Sequence, residues 1–345
     1  MSLEEFEIEQ SARRIARLED DLRIARAAIA ASEKEKFEAL RIRESVFGIT
    51  QTAPDAPEWA HERSTASGAP HVPVLVTSDF QLGEHIDREN MDGINEYNVE
   101  IAQERYRRLI SKTVDIAVNH LSANRYKGAI LLRLGDGVSG DIHEDLRVSN
   151  DQGGVEAVRS LVAMETWGVR QLADAFGGVH VISVPGNHGR TSLKPPTKRI
   201  AETNLDTLSA WWLETAFTGD SRITFQTPNS TDAVWEMHGR KYLATHGDNI
   251  GARGGQGFIG PAATVLRGFK KTHDEYARRG EVLSAIICGH FHTALDVGLG
   301  WCNGSLPGYS EFARAYRMTP EPPQQWLIFF HPKYGPTSQW RLRLD

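Results

Sequence analysis

Three apolar runs, each ending in polar residues of the same kind, limit what this chain can fold into more than any other feature. They are the run at 73–80, GAILLRLGD at 128–136 and VHVISVPGN at 179–187. Short runs rich in Val, Ile and Leu and closed by turn-forming residues read as buried strands. The stretches around 98–122 and 154–176 read as helices, and another is expected around 199–217, carrying Trp211 and Trp212. The order is βαβαβ, which implies a parallel strand set covered by helices. After this the grammar changes. RITFQ, AVWEMHG and KYLATHGD (222–248) read as successive strands, as do SAIICGH (284–290), TALDVG (293–298) and QWLIFFHP (325–332).

The N-terminal part follows a different rule. Residues 4–46 contain no Gly or Pro, and Ile8, Ile15, Leu22 and Ile29 recur every seven residues, with Leu18 and Ala25 between them. That is a heptad pattern, fading where Lys36 and Arg43 take its positions. It reads either as an oligomerising or partner-docking coiled coil or as a surface helix packed on its own domain. The segment 49–72, rich in Pro, Ser, Thr and Ala, reads as a linker. The expected organisation is a helical arm (1–48), a linker (49–72) and one catalytic domain (73–345). No run of about 18 apolar residues and no secretory signal is visible, so no membrane association is expected. Cys288 and Cys302 are the only cysteines, too few for a disulfide scaffold, and they fit a reducing cytoplasm. The net charge of −6 argues against bulk attraction to polyanions.

Chemistry-bearing residues follow the strands in series. Asp79 and Gln81 follow the first run and Asp136 ends the second. Asn187 and His188 end the third, His246 follows KYLAT, and His290 and His292 follow AIIC. The edge of an α/β sheet where strands end is where ligands bind. Asp, Asn, Gln and His give oxygen and imidazole donors without sulfur, which suit Mn, Fe, Zn or Mg. The set is too large for one four-coordinate ion and fits two ions sharing a carboxylate. Such a pair can clamp a phosphate. Taken alone, Asp79 or Asp136 would read as a helix cap. His61, His71, His120, His180, His238, His273 and His331 read as surface residues.

Asp79-Phe80-Gln81, Gly135-Asp136, Gly186-Asn187-His188, His246-Gly247 and Gly289-His290-Phe291-His292 occur in an order that resembles the calcineurin-like metallophosphoesterases. The usual signature of that family is D-x-H, GD, GNH followed by an acid, a GH or HG pair, and GHxH. VSGDIH and the Gly-rich segment after HGD also resemble phage- or prophage-encoded members, which would place the protein in a host cytoplasm. The resemblance implies a four-layer αββα sandwich and two divalent ions, Mn first, with Fe, Zn, Mg or Ni as alternatives. It implies that Asp79, Gln81, Asp136 and His292 hold one ion, and that Asp136, Asn187, His246 and His290 hold the other. It further implies attack on phosphorus by a hydroxide bridging the ions, with His188 as the catalytic residue beside the phosphate. Two departures stand out. Gln81 occupies the place of a His, and Gly189 that of the acid that orients the imidazole; Asp248, which closely follows the candidate ligand His246, is one candidate replacement.

His143, in GDIHED, is a candidate phosphate contact, as are Arg190 and Arg253; His143 reads otherwise as part of a plain acidic loop, and Arg190 as a solvated residue. LRGFKKTHDEYARRG (266–280) reads as a basic helix that could track a nucleic-acid backbone, or simply as a solvated face. The expected function is hydrolysis of a phosphoester, with a phosphodiester (nucleic acid or nucleotide) favoured. A protein or nucleotide phosphomonoesterase, and a non-catalytic interaction scaffold, stand as alternatives.

Overall fold

The computed structural model describes residues 71–121, 126–250 and 261–345, together with Arg23 and Pro57. All of these except Arg23 lie in the unit Thr52–Asp345. The heptad arm, nearly all of the expected linker, and Arg253 lie outside the described residues.

The described part is a mixed α/β structure with two sheets and six α-helices. In chain order the first half runs β1 (Val72–Thr77), α1 (Val99–Asp115), β2 (Ala129–Arg133), α2 (Glu144–Ser149), α3 (Gly154–Phe176), β3 (Val179–Ser183) and α4 (Leu205–Ala216). Next come β4 (Ile223–Gln226), β5 (Asp232–Met237), β6 (Arg240–Thr245), α5 (Ala262–Arg278) and β7 (Leu283–Cys288). The chain closes with β8 (Leu295–Asp296), β9 (Gly300–Cys302), α6 (Glu311–Ala315), β10 (Gln324–His331) and β11 (Gly335–Arg343).

The first sheet has the order β11-β10-β1-β2-β3-β4, and the second β5-β6-β7-β9-β8. Strands β1 to β4 are mutually parallel. Parallel neighbours need crossovers, and α1, α3 and α4 lie in the three connections. The second sheet repeats the device, with α5 between parallel β6 and β7. All the parallel strands of one sheet therefore end at the same edge, which is what gathers the site.

Alternation along each strand divides the apolar residues between two faces. Val74 and Val76 of β1 and Ile130 and Leu132 of β2 share a cluster with Trp235, Tyr242, Ala244 and Ile287 of the second sheet. Leu75 and Leu131 point the other way, into a cluster with Tyr106 and Leu109 of α1 and Leu161 and Leu172 of α3. A third cluster joins Leu243 and Ile286 to Val265, Phe269 and Tyr276 of α5. Near the edge of the first sheet, Arg133 makes a bidentate ion pair with Glu165 of α3 at 2.6 and 2.8 Å, and it also donates to Ser183 and Ser209. No helix among the described residues is long and apolar enough to cross a membrane.

Several expectations need correcting. The helix expected at 199–217 begins only at Leu205, because Asn204 caps it by accepting from Asp206 N. The acidic stretch after His143 forms the short helix α2 rather than a plain loop. The strand expected at 293–298 shrinks to Leu295–Asp296. His180 is fully buried, its Nδ1 2.8 Å from Thr224 Oγ1 on the adjacent strand, and His238 is also buried, so neither is a surface residue.

Candidate metal centre

The candidate ligands stand at strand ends. Asp79 and Gln81 follow β1, Asp136 follows β2, Asn187 and His188 follow β3, His246 follows β6, and His290 and His292 follow β7. Five of them have left-handed backbone: Asp79 (φ 52°), Gln81 (47°), Asp136 (52°), His290 (69°) and His292 (52°). That conformation costs an ordinary residue about 1–3 kcal/mol and clusters at functional sites. Here it turns each chain sharply out of its strand.

Asp136 lies at the middle of the group and is almost wholly buried. Its Oδ1 accepts from His188 N at 2.7 Å. Its Oδ2 lies 3.1 Å from His246 Nε2 and accepts from Gln81 Nε2 at 3.3 Å. Donor atoms of Asp136, His246 and His290 all fall within 4.8 Å of one another. Burial works against ionisation of Asp136, but the His246 and His188 rings outweigh it and hold the carboxyl well below the usual range. His290 is pushed down to about 4 by burial and by the neighbouring His246 ring.

On the other side, Asp79 accepts from His290 N at 3.0 Å and lies 3.3 Å from His292 Nε2. Burial disfavours the charged His292 ring, while its bond to Asp79 raises the pKa. Ser78 Oγ donates to Asp79 and accepts from Asn303 Nδ2 at 3.0 Å. Asn303 donates in turn to Gln325 Oε1 at 2.7 Å. A buried polar chain thus supports Asp79 from below.

Two features fit a cation. His246 Nδ1 lies 2.7 Å from the Leu134 carbonyl, which can only accept, so Nδ1 carries the proton there. The other nitrogen, Nε2, faces two oxygens, Asp136 Oδ2 and Asn187 Oδ1, both at 3.1 Å. In a neutral ring that nitrogen is a lone pair facing lone pairs. Either a proton or a metal ion relieves the conflict. Burial opposes the proton, yet Asp136 and, further off, Asp79 and Asp248 hold the ring well above its ordinary pKa. The second feature is Gln81 Oε1, which is buried and has no hydrogen-bond partner. Such an oxygen costs about 1–3 kcal/mol, and a cation would satisfy it. A ring nitrogen and amide and carboxylate oxygens form a donor set suited to Mn, Fe, Zn or Mg.

His188 is oriented in a way the sequence did not reveal. Its Nδ1 donates to the Ser139 carbonyl at 2.8 Å. Asp248 makes no hydrogen bond to it; that carboxylate accepts from Asn249 Nδ2 at 3.0 Å. Asn150 fixes the Ser139 turn, donating to the Gly140 carbonyl at 2.9 Å and lying 3.0 Å from Ser139 Oγ. An acid at position 189 would have no room. A Cβ there would lie 2.3 Å from Asn204 Oδ1 and 2.9 Å from Asp206 Oδ2.

The further candidates differ among themselves. The His143 ring lies edge-on to His188, 5.7 Å between centroids. The Arg190 guanidinium is engaged with the carbonyls of Asn187, Ser192 and Leu193, bracing its own loop. Residues absent from the sequence-based set are Ser139, Asp206, Asn303 and Glu84. Desolvation pushes the Glu84 carboxyl up to about 7; His292 opposes this and Glu311 adds to it. The Asn204-x-Asp206 spacing ahead of an apolar helix was a visible capping signal; the others had none.

No protein-family model matches this chain, and no curated protein does. Among solved structures, a dimetal phosphatase from Danio rerio is similar over 80% of this chain and 100% of that one, with 10% identity and a TM-score of 0.34. At that score the superposition is too loose to transfer a residue or an activity.

Proposed function

We propose that this chain is a dinuclear metal-dependent phosphoesterase whose preferred substrate is a phosphodiester. The observation that carries the reading is the meeting of strand ends on one buried carboxylate. Asp136 touches His246 and Gln81 side chains and the His188 backbone. Asp79, Gln81, Asp136 and His292 would hold one ion, and Asp136, Asn187, His246 and His290 the other. Two divalent ions held there, Mn being the first choice, would supply Lewis acidity towards a phosphoryl oxygen and towards bound water. The four-layer αββα arrangement belongs to the same proposal, and the three apolar clusters support it.

The chain's own residues position and protonate. With Nδ1 committed to Ser139 O, His188 has Nε2 left to exchange a proton with the leaving-group oxygen, or to place positive charge beside the phosphoryl group. His143, edge-on to that ring, adds a second imidazole on the same side. Its pKa is lowered by burial, by the neighbouring His188 ring and by Arg190. The diester preference rests on α5, whose exposed residues include Arg267, Lys270, Lys271 and Arg278. Exposed Asp274 and Glu275 lie among them, and the remaining excess of positive charge suits a phosphate backbone. The two buried free cysteines fit a reducing compartment, and the cytoplasm is the proposed location.

The test is a substrate panel with Mn. It compares bis-p-nitrophenyl phosphate, p-nitrophenyl phosphate, cyclic nucleotides, and single- and double-stranded DNA and RNA. Diester turnover that falls about 10²–10⁴-fold in His188→Ala is expected. Turnover confined to the monoester would replace the diester reading with a phosphatase. No turnover with any of Mn, Ni, Co, Zn or Mg would overturn the enzyme reading and leave the interaction scaffold.

A further inference from the structure

One buried carboxylate outside the candidate ligand set touches two of the loops that carry it. Asp206 sits in the first turn of α4 and is about 5% exposed. Its Oδ2 accepts from Asp136 N at 3.0 Å and from Gly186 N at 2.9 Å, and its Oδ1 accepts from Gly137 N at 3.0 Å. Two of these amides belong to the loop after β2 and one to the loop after β3. Buried backbone N–H groups must find partners, and here a single side chain serves three.

Its neighbour Asn204 tightens the same junction. Asn204 Nδ2 donates to Gly186 O at 2.7 Å, and Leu205 N donates to Gly189 O at 2.7 Å. The two loops are in direct backbone contact as well. A Cβ on Gly186 would lie 2.2 Å from Asp136 Oδ1, so any side chain there would wedge the loops apart. The start of α4 therefore grips Gly186 on one side and Asp136 on the other. The residues immediately after Gly186 are Asn187 and His188.

We infer that Asp206 is a positioning residue of this site. It fixes the separation between Asp136 and the Asn187–His188 pair, and through that separation it sets both divalent-ion affinity and the placement of His188. The inference rests on the phosphoesterase reading but assigns a role to a side chain that would touch neither ion nor substrate. In Asp206→Asn the side chain keeps its size, but one of its ends becomes an NH₂ group. At least one of the three backbone N–H groups then faces a donor, and one loop is released.

The test measures Mn affinity of the full-length protein by calorimetry, beside circular dichroism and thermal melting of the metal-free form. Asp206→Asn is expected to weaken Mn binding about 10–100-fold, the range for groups that orient metal ligands. At saturating Mn it should lower kcat for bis-p-nitrophenyl phosphate with KM little changed. The control is Ser209→Ala. Ser209 Oγ donates to the Asp206 carbonyl and accepts from Arg133, but it has no hydrogen bond to either loop. That variant should lower the melting temperature and leave Mn affinity at the wild-type value. Asn204→Ala, which removes the donor to Gly186 O, should weaken Mn in the same direction by a smaller factor.

Wild-type Mn affinity in folded Asp206→Asn would overturn the inference while leaving the phosphoesterase reading intact. So would an equal loss of affinity in Ser209→Ala. If Asp206→Asn does not fold, wild-type affinity in Asn204→Ala overturns it. A wild-type protein that binds no divalent ion would overturn both together.

Discussion

Gly189 is a place where the packing of the candidate site can be tested with one methyl group. Its backbone conformation is not left-handed, so steric space alone is at issue. A Cβ there would meet Asn204 Oδ1 at 2.3 Å and Asp206 Oδ2 at 2.9 Å. Neither is the loose end of a surface side chain. Asn204 Oδ1 accepts from Asp206 N at 2.8 Å, and its Nδ2 donates to Gly186 O at 2.7 Å. To admit the methyl, Asn204 must give up bonds worth about 1 kcal/mol each net, or the loop must withdraw at an overpacking cost of about 1–3 kcal/mol. Gly189→Ala should therefore lose about 2–4 kcal/mol. This opposes the gain of about 0.4–1 kcal/mol that Ala ordinarily brings by restricting the unfolded chain. Gly189→Asp should lose more, because it sets a second carboxylate against Asp206. Urea unfolding of the metal-free protein reads the loss as a lower midpoint at unchanged slope. A Gly189→Ala midpoint at or above wild type would refute the packing argument.

Other consequences can be checked independently. The Glu84 carboxyl stands at about 7 in the folded protein against an ordinary 4.5. Its contribution is thus fully present below about pH 4.5 and is lost as pH rises to about 7. In metal-free protein, Glu84→Gln should match wild type at pH 4 and be more stable at pH 8 by about 2 kcal/mol, discounted for partial exposure; equal melting temperatures at pH 8 would contradict this. Arg133→Met leaves Glu165 buried without its partner and should cost about 3–5 kcal/mol in urea unfolding, much of it recovered when Glu165→Leu is added. A double variant no more stable than the single one would refute that pairing. His143→Ala should raise KM for the diester more than it lowers kcat, since its place beside His188 suits phosphate binding; an unchanged KM would remove it from the substrate side.

The sequence made the strand-end residues legible because their signal is local. Asp79, Asp136, Asn187, His246 and His290 each follow an apolar run directly. Parallel pairing within each sheet then brings those ends together. The supports were hidden because they act across long sequence separations or through the backbone. Asp206 reaches Asp136 N over 70 residues. Ser139 orients His188 with a carbonyl, which every residue possesses. The left-handed backbone at Asp79, Gln81 and His292 had no glycine to announce it. His180 is buried rather than at the surface, and its partner, Thr224, lies on the next strand of the sheet, 44 residues away. Gln81 remained legible as a departure from pattern, and the structure adds its unpartnered buried oxygen.

In the proposed function Asp136 is shared by two divalent ions. Full-length wild type and Asp136→Asn are each equilibrated with Mn, freed of excess by gel filtration and assayed for metal by mass spectrometry, with circular dichroism to confirm the fold. About two Mn per wild-type chain are expected, and a loss of at least half of them in Asp136→Asn, because a carboxylate shared by both ions would be removed. A wild-type chain that retains no Mn, or a folded Asp136→Asn that retains as much as wild type, would contradict it.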